Sequence, residues 1–140
     1  MKITVKNFQK EIPINPKRIK KAILKTLSSQ GIKKSGEITV SFVNKKKITD
    51  LNFRFLKRRV PTDCLSFDLS DEKKDGRILA DVVVSADAAI SNAKIFLTTA
   101  RHELLLYVIH GVLHILGYDD RTPGQRKRMM QKATHILSRV

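Results

Sequence analysis

The run LLLYVIHGVLHILGYDDR, residues 104–121, decides the reading of this chain. From Leu104 to Leu116 every residue is apolar, aromatic or glycine except His110 and His114. A helix apolar on nearly all sides is buried, and this one is too short to cross a bilayer. His110 and His114 stand four apart, so their rings leave one face of the helix about one turn apart. Two imidazoles in such surroundings must find polar partners or cost about 1–3 kcal/mol each. Main-chain carbonyls would satisfy them, and so would one metal ion. Gly117 then lets the chain turn sharply, and Asp119 and Asp120 follow at once, able to return a carboxylate to the same point. Two imidazole nitrogens and one carboxylate oxygen suit zinc, with a fourth position left for water. Softness and geometry leave nickel, cobalt and manganese open as well.

Working outward, 140 residues make one domain by length, spanning residues 1–140, with 41% hydrophobic residues to build a core. Twenty-eight Lys and Arg against 13 Asp and Glu leave a net charge of +15. Such a surface attracts polyanions, because each cation near a phosphate releases condensed counterions. Nucleic acid is the expected partner; no basic amphipathic anchor points to a membrane. The single cysteine, Cys64, excludes an intrachain disulfide, fits a reducing compartment and sits where a small hydrophobe would serve. The N-terminal MKITVKNFQK has no hydrophobic signal region. A soluble, cytoplasmic protein is expected.

The remaining elements follow from periodicity and caps. Residues 2–5 read as a strand. Asn15-Pro16 starts a helix in which Ile19, Ile23 and Leu27 recur every four residues until Gly31. Glu37–Val43 alternates as a strand, and a short helix covers Ile48 to Phe55. Cys64–Leu69 and Ile78–Val84 are apolar, partly β-branched runs joined by a polar, hairpin-like return over Ser70–Arg77. Ala86–Ile95 is a helix rich in small residues. Thr98 or Thr99 caps the long helix, and Thr122-Pro123-Gly124-Gln125 begins the last one with a capping box. The expected fold is α+β: a single mixed sheet of three to four strands with packed helices, one of them the buried metal-binding helix.

The segment from His110 to Asp119, HGVLHILGYD, resembles the HGxLHxxGYDH signature of the YbeY family, the metal-dependent endoribonucleases of bacterial ribosomal RNA maturation. Leu51-Asn52, Phe55 and Pro61-Thr62-Asp63-Cys64-Leu65-Ser66-Phe67 are similar to that family's LN…Y…PTDVLSF segment, and Ala80–Ser85 to its GDIxIS strand. The resemblance implies that the metal ligands are His110, His114 and the residue at the third histidine position, here Asp120. Asp119 then becomes a candidate outer-shell group that orients Tyr118, a ligand or the turn; a slip of one position would make it the ligand instead. An aspartate in place of a third imidazole makes the site more anionic by one charge. The family's arginine after the aromatic of the LN…Y segment is replaced by Leu56, so Arg54, Arg58 and Arg59 are the candidate catalytic cations. Ala80 and Cys64, where the family has Gly and commonly Val, read as packing changes.

A metal-bound water becomes a nucleophile near neutral pH. The zinc-peptidase helix HExxH carries its general base where Gly111 stands here, which weakens a peptidase reading. A phosphodiester fits the positive charge. The expected function is hydrolysis of single-stranded RNA in 16S ribosomal RNA 3′-end maturation on the small subunit, using one divalent metal ion, zinc by preference, and no organic cofactor. The alternative is a non-catalytic RNA- or ribosome-binding protein with a structural metal. Among the basic clusters Lys17–Lys21, Lys33-Lys34, Lys45–Lys47, Lys57–Arg59 and Arg126–Arg128, only Lys57, Arg58 and Arg59 are assigned to RNA binding, because they lead into the Pro61-Thr62-Asp63 block. Aromatics are few, so stacking on bases is not expected to dominate. Ser66 and Ser85 read equally as structural or substrate hydrogen-bonders, and His102 and His135 as surface or cap residues.

Overall fold

Strands and helices follow in the order β1 (Lys2–Asn7), α1 (Pro16–Ser29), β2 (Gly36–Val43), α2 (Lys45–Leu56), β3 (Cys64–Asp68), β4 (Ile78–Ser85), α3 (Ala86–Phe96), α4 (Ala100–Ile115) and α5 (Pro123–Leu137). The computed structural model describes residues 1–33, 35–71 and 76–140. The strands form one sheet in the order β1-β2-β4-β3. β1, β2 and β4 run parallel, and β3 lies antiparallel to β4 at the edge, in register from Cys64 opposite Val84 to Asp68 opposite Ala80. The sheet is therefore mixed, with four strands. Leu69 N–H extends the β3–β4 ladder to the Leu79 carbonyl at 2.8 Å. The expected return over Ser70–Arg77 lies in part outside the described residues, as does Lys34.

Alternation along the strands splits the apolar residues between two faces. Ile38, Val40 and Phe42 on β2 and Ala80, Val82 and Val84 on β4 are buried with Ile19 and Ile23 of α1, Val108 and Val112 of α4, and Met129 and Ala133 of α5. The opposite face is smaller: Val43, Leu65 and Val83 pack with Ile48 of α2. A side-chain cap opens every helix, on Asn15, Asn44, Ser85, Thr99 and Thr122. Asn44 explains why α2 begins three residues before the Ile48 start expected from sequence. Its side chain accepts from Lys47 N–H at 2.9 Å, so the polar KKK run forms the first turn. Thr122 and Gln125 form the reciprocal capping box.

One contact sets the seat of α4 on the sheet. Ser66 Oγ on β3 donates to the Gly111 carbonyl at 3.0 Å. A Cβ at position 111 would stand 2.6 Å from Val82 Cγ1 and 2.9 Å from Cys64 Sγ. Only glycine lets the helix backbone come this close. Desolvation, with a smaller contribution from Asp63, pushes the Cys64 thiol well above its ordinary range. Cys64 accordingly behaves as the small packing residue read from its context.

Candidate metal centre

Helix α4 is built so that burial on most sides leaves one opening. Glu103, Leu104, Leu105, Tyr107, Val108, Ile109, Gly111, Val112 and Leu113 are buried, while His110 and His114 keep 25% and 28% of their side-chain surface. The helix ends at Ile115, with Leu116 as its C-cap. Gly117 takes φ +100°, and the chain folds back over the last turn. This return carries Asp120 Oδ2 to 3.3 Å from His114 Nε2 and 3.7 Å from His110 Nε2, while the two ring nitrogens stand 3.1 Å apart. Around a tetrahedral zinc with bonds of about 2.0–2.1 Å, neighbouring donors are separated by roughly 3.3 Å. The three spacings bracket that value, so the donor set fits the ion. Among the described residues this is the one group of three or more His, Cys, Asp or Glu side chains arranged to hold a metal ion.

The tautomer supports the same geometry. His114 Nδ1 lies 2.9 Å from the Tyr118 carbonyl, an acceptor, so Nδ1 carries the proton and Nε2 presents its lone pair to the other two donors. Tyr118 is itself braced. Its hydroxyl donates to Gln30 Oε1 at the end of α1, and Lys132 Nζ on α5 reaches the same oxygen at 3.3 Å and lies 5.1 Å from the Tyr118 ring centroid. Gln30 and Lys132 escaped the sequence reading, because nothing in their local spacing marks a contact 88 or 102 positions away. Replacing Tyr118 with phenylalanine is expected to cost about 0.5–1.5 kcal/mol of stability and to weaken metal binding by less than about tenfold. Thermal unfolding and metal titration check both; an unchanged melting temperature would show that the brace carries no stability.

The other candidates lie elsewhere. Asp119 pairs with Arg121, Oδ1 to Nε 3.5 Å, on the exposed outside of the turn. Arg59 stacks on Phe53 with its guanidinium carbon 4.2 Å from the ring centroid, and Arg54 lies 5.9 Å from that of Phe55. Both rings belong to α2, whose Ile48 packs on the sheet face opposite α4. The cation tied to the ligand loop is Arg126 of α5, whose Nη1 donates to the Asp120 carbonyl at 3.2 Å and the Arg121 carbonyl at 3.4 Å. It belongs to a basic cluster that sequence alone gave no reason to place beside the site. Ser66 and Ser85 have structural roles, the first holding Gly111 and the second capping α3. His102 and His135 are exposed.

Burial first, then the neighbouring His114 ring, hold His110 below the ordinary imidazole value of 6.5; Asp63 and Asp120 oppose the shift. Neutral His110 is the ligand form, so the shift favours cation binding at neutral pH. For the metal-free protein, the unfolded chain binds the proton more tightly than the folded one. Stability is therefore expected to fall as pH drops through 6.5 and to level off below the depressed folded value. A melting-temperature series from pH 8 to pH 5 with chelator, compared with His110→Gln, measures this. Equal slopes in the two proteins would refute it.

Fold and site together define a class: an α+β protein whose one buried helix and following turn carry a candidate single-metal centre open to solvent. The Endoribonuclease YbeY family profile matches residues 4–140, and the chain belongs to this family. It is 36% identical over 120 residues to the endoribonuclease YbeY of Carboxydothermus hydrogenoformans, covering 86% of this chain and 82% of that one. It is 33% identical to that of Syntrophus aciditrophicus, covering 98% and 88%. A solution structure of a Thermotoga maritima protein superposes with a TM-score of 0.62 at 27% identity, covering 97% of this chain and 87% of that one. Among the described residues, no helix is long and apolar enough to cross a membrane.

Proposed function

We propose that this chain, with residues 1–140 as one unit, is a cytoplasmic metal-dependent endoribonuclease that cuts single-stranded RNA in 16S ribosomal RNA 3′-end maturation. The observation that carries it is the trio of donors at zinc-like separation, with the His114 tautomer fixed by Tyr118. Family membership supports RNA as substrate, and the YbeY resemblance supports its ribosomal source. When bound, a divalent ion would act as a Lewis acid and supply a solvent-derived nucleophile at neutral pH.

The chain's own residues do the rest. His110 and His114 offer neutral nitrogens, and Asp120 lowers the charge of the centre by one. Arg126, bonded to the Asp120 carbonyl of the ligand loop, is the cation that would offset charge building on the phosphoryl oxygens. Lys57, Arg58 and Arg59 bind the RNA on the far side of β3. A peptidase reading loses its base for a steric reason, since the close packing at Gly111 leaves no room for the glutamate of HExxH. The alternative, an RNA binder with a structural metal, draws on Leu56, an exposed apolar side chain at the family's arginine position.

Short single-stranded RNA and a peptide library, incubated with the native chain before chelation, after chelation and after zinc is restored, separate these readings. Metal-dependent RNA cleavage supports the ribonuclease. RNA binding without cleavage under every condition supports the binder, and peptide cleavage alone overturns both.

A further inference from the structure

Residues 53–60, FRFLKRRV, are all exposed, and no acidic residue interrupts them. Four are large and apolar (Phe53, Phe55, Leu56 and Val60) and four are cationic. Apolar side chains on a soluble surface are unremarkable when scattered, but gathered on one turn they mark a contact surface. The cations are not simply dispersed among them. Arg59 sits over Phe53 with its guanidinium carbon 4.2 Å from the ring centroid, and Arg54 stands 5.9 Å from that of Phe55. Phe55 is in turn fixed edge-on against Phe67 of β3, with centroids 5.3 Å apart. Buried Asn52 holds the loop that brings Arg59 back, donating to the Val60 carbonyl at 3.0 Å.

We propose that this surface is a stacking platform for unpaired nucleobases of single-stranded RNA. The proposal rests on the ribonuclease reading for its ligand but is carried by these contacts. Phe53 is 42% exposed with a guanidinium 4.2 Å over its ring, and nucleobases stack on both guanidinium and aromatic planes. Lys57 and Arg58 flank the platform and suit the phosphates. An acidic protein partner would use the charge but has no need of exposed phenyl rings with guanidinium groups set against them. Position supports the same ligand. β3 is an edge strand, and its adjacent residues face opposite ways: Ser66 bonds Gly111, next to His110, while Phe67 meets Phe55. An RNA strand passing over that edge would have the platform on one face and the helix of His110 on the other. Sequence reading set stacking aside because only six phenylalanines and two tyrosines are present. Four of those phenylalanines, Phe8, Phe53, Phe55 and Phe96, prove to be exposed, two of them here.

The test uses the full chain, chelator to keep the strand intact, and a single-stranded oligoribonucleotide carrying 2-aminopurine, whose fluorescence falls when it stacks. The native chain is expected to bind and quench. Phe53→Leu, which keeps an apolar side chain of similar size at an exposed position, is expected to restore fluorescence and weaken binding about fivefold to a hundredfold. Arg59→Lys keeps the charge but loses the plane, and is expected to behave likewise. Failure of the native chain to bind RNA, binding without quenching, or native affinity in Phe53→Leu would each overturn the platform. So would a Phe53→Leu defect confined to capture of acidic small-subunit proteins. Quenching without cleavage on restoring zinc, nickel, cobalt or manganese would instead sink the ribonuclease reading and leave the platform standing.

Discussion

His114→Ala is expected to lower metal affinity more than a hundredfold and to abolish metal-dependent RNA cleavage. Loss of an outer-shell partner at a metal site costs about 10–100-fold; removing a donor that lies 3.1 and 3.3 Å from the other two should exceed that. His114 does two jobs at once, since its Nε2 faces the centre and its Nδ1–H anchors the Tyr118 carbonyl. Substitution therefore also releases the turn that presents Asp120. The ring is more than a quarter exposed, so the metal-free variant should fold and keep most of the native melting temperature. The native protein should gain about 2.7 kcal/mol from metal present at a hundred times its dissociation constant, and the variant should gain nothing. Metal content after dialysis and paired melts with and without zinc read both. A variant that retains stoichiometric metal would show that these side chains are not the ligands.

The second large effect falls on Gly111. Gly111→Ala sets two opposing terms against each other. A helix interior favours alanine over glycine by about 1 kcal/mol, but the new methyl meets Val82 Cγ1 at 2.6 Å and Cys64 Sγ at 2.9 Å. Overpacking of this kind costs about 1–3 kcal/mol. The clash should prevail, lowering the melting temperature by a few degrees at most. Gly111→Glu, which writes HExxH into the chain, adds a carboxylate at a buried position against two strands. It is expected to cost several kcal/mol, to leave little folded protein at 37 °C and to confer no peptidase activity. Soluble expression, melts and a peptide assay test it; a stable Gly111→Glu protein that cleaves peptides would reverse the case against that chemistry.

Much of this architecture could be read from local chemistry. The apolar run around His110 and His114 announced a buried helix because burial and periodicity act on neighbours in sequence. Thr122 with Gln125 announced a helix start for the same reason. The α2 start was missed because KKK looks like a solvated loop until the Asn44 cap is recognised. Arg126 and Gln30 were invisible for a different reason. Their roles depend on the angles at which α1 and α5 dock beside α4, and sequence spacing does not encode those angles. The assignment of weight to Lys57–Arg59 rested on nearness along the chain to Pro61-Thr62-Asp63. The helix that leads into that segment, α2, packs on the sheet face opposite the one that carries the imidazoles.

If a cation seats at the candidate centre, the Gln30–Tyr118–Lys132 junction links its capture to the docking of α1 and α5. Coupling between two binding events is reciprocal: if the seated ion tightens the clasp of α1 and α5 on the turn, whatever pulls those helices apart loosens the ion to the same degree. Loading of such an ion should therefore be strongest in the fully closed molecule, so that its retention reports that the chain has finished folding.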